Sequence, residues 1–166
     1  GYEIGGCDLL YDTTVPFGSG LSSSASIEVA TGMTLATFSG EAGGKGVDLV
    51  QLAVLGQKSE NTYNGVNCGI MDQFAIAMGK KDYAIFLDTA VLEYQYVPIQ
   101  MKGVQLVIAC SNKKRGLADS KYNERRSECE AALAQLQKVR PLESLGQLTT
   151  EEFEALADQI DIHLSG

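Results

Sequence analysis

The segment Val15-Pro16-Phe17-Gly18-Ser19-Gly20-Leu21-Ser22-Ser23-Ser24-Ala25-Ser26 constrains this chain more than any other. A β-type run, Leu9 to Val15, stops at a proline; two glycines follow, and three serines open an apolar helical stretch. Glycine lets a backbone turn tightly and approach a ligand closely. The first turn of a helix leaves N–H groups without intrahelical partners at the positive end of the helix dipole. Strand, glycine loop and helix N-terminus in this order make an anion site, most often for phosphate. The same order also serves as a plain turn with a capping serine. Standard nucleotide fingerprints do not decide between the two. Counting back from Lys45, Ser39 stands where G-x-x-x-x-G-K-[ST] needs its first glycine, and Gly46 follows the lysine; Gly18-x-Gly20 has Ser23 in place of a third glycine.

A chain of 166 residues, 45% hydrophobic and 20% charged, can bury a core and fits one domain, or one domain and part of another. Its apolar runs are short and interrupted, so no membrane span is expected, and no cleavable signal is visible. The opening Gly1-Tyr2-Glu3 reads as the start of an excised fragment. A net charge of −8 argues against a nucleic-acid surface. It leaves ATP open, because local amides and a divalent cation handle that charge. Cys7, Cys68, Cys110 and Cys129 lie far apart, which suits reduced thiols in a cytoplasmic protein better than a disulfide frame or a zinc site. With His163, near the C-terminal end, as the only histidine, a catalytic triad or a histidine-based metal centre within this chain is nearly excluded.

Periodicity predicts a strand over 7–15 and a helix over 22–38. In that helix Ala25, Val29, Met33 and Ala36 form a stripe that Ile27, Ala30 and Phe38 widen, so burial on most sides is expected. After a glycine-rich connection at 40–46, a second helix is predicted from Val47 to about Tyr63. A third runs from Gly69 to Met78, with Ile70, Phe74, Ala77 and Met78 as its apolar face and Gly79 closing it. Strands are predicted at 82–87, 92–97 and 104–110. A long helix at 120–139 should turn Tyr122, Cys129, Leu133 and Leu136 inward and end at Pro141. Thr149-x-x-Glu152 has the form of a capping box for a last helix. Strands and helices without regular βαβ alternation mean an α+β chain.

Three places could carry chemistry. Asp72 falls in the first turn of the third helix, a position that suits a negative charge, where it could orient or deprotonate an attacking hydroxyl or simply cap the helix. Glu60 stands near the C-terminal end of the second helix, where the dipole disfavours it. Magnesium would explain it, shared with a serine hydroxyl and phosphates; a solvated surface glutamate is the alternative. Ser111-Asn112-Lys113-Lys114-Arg115-Gly116 and Tyr122-Asn123-Glu124-Arg125-Arg126 are basic stretches in an acidic chain. They could face a phosphate pocket or form a solvated face paired with nearby acids.

Together these residues resemble a known family. Pro16 to Ser26 is similar to the second signature of the GHMP kinases, which are named for galactokinase, homoserine kinase, mevalonate kinase and phosphomevalonate kinase. The three serines resemble the galactokinase branch. Cys68-Gly69-Ile70-Met71-Asp72-Gln73-Phe74 is close to that branch's catalytic segment, and Lys114 to Arg126 resembles its next block. The resemblance implies transfer of phosphate from ATP to the C1 hydroxyl of α-D-galactose. It implies that Gly18, Ser19, Gly20, Leu21, Ser22, Ser23 and Ser24 wrap the ATP phosphates and that Ser24 and Glu60 hold Mg2+. Asp72 would serve as catalytic base or orienter, with Gly69, Asp72 and Tyr122 contacting the sugar. It further implies a ribosomal protein S5 domain 2-like N-terminal domain, partial, over 1–100 and the beginning of a ferredoxin-like C-terminal domain over 101–166.

The family's first signature, of the G-R-x-N-L-I-G-E-H-T-D-Y type, and its third, glycine-rich one are absent from the sequence. The chain therefore reads as the middle of a longer kinase, monomeric and cytoplasmic when whole and inactive as a fragment, with sheet edges left unpaired. Rival readings are a kinase of the same family acting on N-acetylgalactosamine or arabinose, a non-enzymatic galactose sensor with the same fold, and a plain nucleotide-binding module.

Overall fold

Three helices and one hairpin follow in order through the first part of the chain: α1 (Ser23–Phe38), α2 (Leu49–Tyr63), α3 (Met71–Met78), β1 (Tyr83–Asp88) and β2 (Glu93–Pro98). Two further helices, α4 (Lys121–Leu136) and α5 (Thr150–Ala157), lie beyond them. The computed structural model describes residues 4–39, 46–109 and 121–157. The chain forms two compact units, Gly1–Ala118 and Asp119–Gly166. The connection at 40–45, Cys110, the basic stretch 111–116, Ser120 and His163 lie outside the described residues.

In the first unit, α1 packs on α2 and α3, and α2 packs on α3. The Asp48 carboxylate accepts from the Gln51 N–H at 3.0 Å and so starts α2. Ala53, Ile70 and Phe74 form the buried centre, and Val50, Val54, Ala77 and Met78 close around it. The hairpin joins this core through one face. Residues alternate sides along β1, so Ile85 and Leu87 reach the core while Phe86, 67% exposed, points away. Antiparallel pairing runs from Tyr83 opposite Pro98 to Asp88 opposite Glu93. Tyr94 meets Phe74 edge-on at 5.4 Å between ring centroids, and the Tyr96 hydroxyl donates to the Met78 carbonyl at 2.7 Å. The hairpin is thereby fastened to the end of α3.

Four expectations are corrected. Residues 7–15 form no strand, and Leu10 is 97% exposed. A strand needs a paired backbone, and none pairs with this run among the described residues; a hydrogen bond of 2.7 Å between the Tyr11 and Thr31 hydroxyls ties it to α1 instead. The described part of the strand expected at 104–110 is unpaired for the same reason, with Val104, Leu106, Val107 and Ile108 exposed. In α1 only Ala25, Val29 and Ala36 are buried, while Ile27, Met33 and Phe38 are exposed, because the packing partners lie on one side. In α4 only Leu136 is buried and Leu133 half-buried; Cys129 and Tyr122 are exposed, as the second unit's small core gathers around Leu136 and Leu142.

The second unit keeps its expected local signals. The Thr149 N–H donates to the Glu152 carboxylate at 2.9 Å, and the Glu152 N–H donates to the Thr149 hydroxyl at 3.2 Å, completing the capping box. Arg125 pairs with Glu128 and Arg126 with Glu130, each at 2.8 Å along an exposed face of α4. For these two arginines the reading of a solvated, acid-paired face holds.

Candidate active site

The loop before α1 is built on left-handed backbone at alternate residues: Gly18 at φ 68°, Gly20 at φ 81° and Ser22 at φ 55°. A Cβ at Gly18 or Gly20 would touch nothing within 4 Å. The backbone conformation therefore requires these glycines, and the surface they present is open. The Ser19 hydroxyl donates to the Pro16 carbonyl at 2.7 Å and folds the loop on itself. The Ser26 N–H donates to the Ser22 carbonyl at 3.0 Å and begins the helical ladder.

Ser22 stands at the N-cap of α1, yet its side chain does not cap that helix. Its hydroxyl donates instead to the Asp72 carboxylate, fifty residues further along the chain. The capping reading of this serine is thus set aside, and its side chain leaves the N–H groups of the first turn uncovered. Asp72 lies in the first turn of α3. Ile70 and Phe74, both buried, anchor that turn in the core, which fixes Asp72, half-buried, at the loop side of the helix.

The next residue on α3 looks the other way. Gln73 is 2% exposed, and its Nε2 donates to the Glu28 Oε2 at 3.2 Å. Burial first, then the neighbouring Glu60 carboxyl on α2, pushes the Glu28 carboxyl up to about 7. Glu60 is only 3% exposed, which overturns the reading of a solvated surface glutamate. The Asn64 Nδ2 donates to its Oε2 at 3.0 Å. Cys68 lies near the pair; burial first, then the carboxylates, push its thiol up. Gly56 makes room here, since a Cβ on it would sit 3.0 Å from the Gln73 Cγ.

Ser24 lies one turn before Glu28 on α1, and residues four apart share a helix face. The buried Gln73 Oε1, beside Glu28, has no hydrogen-bond partner. An unused carbonyl oxygen and the buried Glu60 carboxylate are hard donors of the kind magnesium takes. Among the described residues no three His, Cys, Asp or Glu side chains form a metal cage, so phosphate oxygens or water would have to complete the shell.

Gly69 lies exposed just before α3, three residues from Asp72. Tyr122, half-exposed on α4, belongs to the second unit. An apolar groove of about 520 Å³ between α1 and α2, lined by Ile27, Leu35, Leu52 and Leu55, includes neither Asp72 nor the glycine loop. Sequence reasoning missed Glu28 and Gln73. A signal was present: Glu28 interrupts the run from Ala25 to Gly32, and Gln73 occupies an i+3 place on the Ile70–Phe74–Ala77 face.

The family model described as GHMP kinases N terminal domain matches residues 1–80. The fold is α+β, as the mixed order of helices and strands implied. The chain is 57% identical over 155 residues to the galactokinase of Clostridium acetobutylicum, a match covering 93% of this chain and 39% of that protein. It is 50% identical to the galactokinase of Halalkalibacterium halodurans, over 99% of this chain and 41% of the relative. Lactococcus lactis galactokinase, solved in complex with galactose, matches with a TM-score of 0.80 at 44% identity, covering 90% of this chain and 37% of that one. The chain thus spans about two-fifths of the length of these GHMP kinase relatives.

Proposed function

We propose that this chain supplies the nucleotide loop and the reacting acid of a galactokinase, which transfers the γ-phosphoryl group of ATP to O1 of α-D-galactose. The observation that carries this reading is the bond from Ser22 to Asp72, which joins the phosphate-type loop to a carboxylate placed to meet a hydroxyl. Support comes from the relatives, which are galactokinases, and from the neighbour bound to galactose.

In this reading the open amides of Gly18 to Ser24 hold the ATP phosphates, where charge spreads over oxygens as transfer proceeds. Asp72 accepts the proton from the galactose O1 hydroxyl; O1 bonds to the γ-phosphorus as the bond to the β,γ-bridging oxygen breaks, leaving galactose 1-phosphate and ADP. Ser22 holds the Asp72 carboxylate against the loop. Gly69 contacts the sugar. Ser24 and Glu60 would hold the magnesium, which would offset the negative charge of the phosphate oxygens. Alignment of hydroxyl and phosphate contributes most, on the order of 7–11 kcal/mol at best. Residues 1–100 are then the ATP-binding domain and 101–166 the beginning of a ferredoxin-like domain, in a cytoplasmic, monomeric enzyme.

ADP release by the full-length protein, measured with galactose, N-acetylgalactosamine and arabinose in turn, tests this. Galactose should give the fastest release. Faster release with another sugar would move the enzyme to a sister specificity, and none with any sugar would overturn the kinase reading.

A further inference from the structure

We propose that Gln57 and Asn61 of α2 are positioning residues that hold the Cys68–Gly69 peptide in place at the sugar; this rests on the reading of Gly69 as a galactose contact. Residues 64–70 join α2 to α3 with neither helix nor strand. Such a segment has no ladder of its own to fix its backbone, so bonds from neighbouring elements decide where it lies. Gln57 and Asn61 stand four residues apart on α2 and so share one face of it. Both reach Cys68. The Gln57 Nε2 donates to the Cys68 carbonyl at 3.1 Å, and the Cys68 thiol donates to the Asn61 Oδ1 at 3.3 Å. Backbone and side chain of one residue are thus gripped together.

The grip acts on the peptide that leads into Gly69. A trans peptide is planar, with its C=O and N–H pointing opposite ways. Aiming the Cys68 carbonyl at α2 therefore turns the Gly69 N–H to the side away from Gln57. The segment is tied to the end of α2 upstream as well: the Val66 N–H donates to the Glu60 carbonyl at 3.4 Å, and the Cys68 N–H to the Val66 carbonyl at 2.7 Å. Downstream, Ile70 is buried in the core beside Ala53 and Phe74. Gly69, exposed, lies between the gripped Cys68 and the buried Ile70. Loosening Cys68 thus reaches Gly69 directly, whereas Asp72 lies beyond the anchor at Ile70. The sugar contact should suffer more than the reacting acid.

Steady-state rates of the full-length protein with galactose varied at saturating ATP, beside ATP titrations, test the idea. Gln57→Met keeps the length of the side chain without its donor. It should raise the galactose KM about 2–10-fold, the worth of one hydrogen bond, with a smaller change in kcat and the Kd for ATP unchanged. Cys68→Ala should act in the same direction. Cys68→Ser, which keeps a donor for Asn61, should restore the wild-type KM; the Cys68 pair carries the test where Gln57→Met does not fold. Gly69→Ala separates the two claims. A wild-type galactose KM in Gly69→Ala overturns Gly69 as a sugar contact and this inference with it. A raised KM there, with the wild-type KM in the folded Gln57→Met and Cys68→Ala variants, overturns the positioning role alone. So does a loss of ATP affinity equal to the rise in KM, or a Cys68→Ser variant as impaired as Cys68→Ala.

Discussion

The Ser22 hydroxyl donates its hydrogen to the Asp72 carboxylate and so joins the turn before α1 to the first turn of α3. Residues fifty positions apart are thereby brought to one surface, with the uncapped start of α1 beside them. A serine at an N-cap ordinarily spends its oxygen on its own helix. Here that role is given up, and the amides it would have covered face the open loop.

Replacing Ser22 with glycine keeps the left-handed backbone and removes the hydroxyl together with its Cβ. The expected outcome is a fall in kcat of about tenfold or less, the worth of one hydrogen bond, with the protein still folded. Steady-state rates with galactose and ATP check this; an unchanged kcat would mean that the bond does not hold Asp72 for the reaction.

Two alanine substitutions should fail for different reasons. Gly18→Ala meets no neighbouring atom but must adopt φ 68°, at a cost of about 1–2 kcal/mol, and should weaken ATP binding. Gly56→Ala sets a methyl 3.0 Å from the Gln73 Cγ and should lower stability by about 1–3 kcal/mol through overpacking. Melting curves and ATP titrations on both variants separate the two effects.

Glu28 gives the stability a pH dependence. Its carboxyl is raised from 4.5 to about 7 on folding, chiefly by burial. Between those values the folded chain binds a proton that the unfolded chain has released, so stability falls as pH rises through the window and levels off above it. The shift corresponds to about 3 kcal/mol at most, and less once solvent screening of a half-buried group is allowed for. Glu28→Gln, which does not titrate, should flatten this part of the profile in the metal-free protein; melting curves that keep the wild-type slope would contradict the assignment.

The Thr149–Glu152 capping box predicts a local effect. Thr149→Ala should lower amide protection in α5 about fivefold and leave α1 to α3 untouched, as read by hydrogen exchange.

What the sequence made legible follows from what is local. The three helices of the first unit and the hairpin arise from periodicity and turn residues within each segment, and they form close to where those signals place them. Residues 7–15 and 104–109 carry β-type composition as well, but a strand is defined by another backbone, and no neighbouring residue encodes that partner. The site divided in the same way. The loop and Asp72 were visible through glycine spacing and helix position, whereas the bond between Ser22 and Asp72 depends on how α1 and α3 pack. Glu28 and Gln73 were hidden because apolar stripes were traced through their neighbours, and a polar residue inside a stripe gains meaning only when its partner on another helix is known.

Asp72→Asn keeps an oxygen for Ser22 and removes the proton acceptor, so it addresses the central claim most directly. In the full-length protein, galactose-dependent ADP release should fall about 10²–10⁴-fold while the Kd for ATP stays at its wild-type value. Turnover that survives the substitution, or loss of ATP affinity in equal measure with rate, would contradict the placement of this aspartate at the sugar hydroxyl.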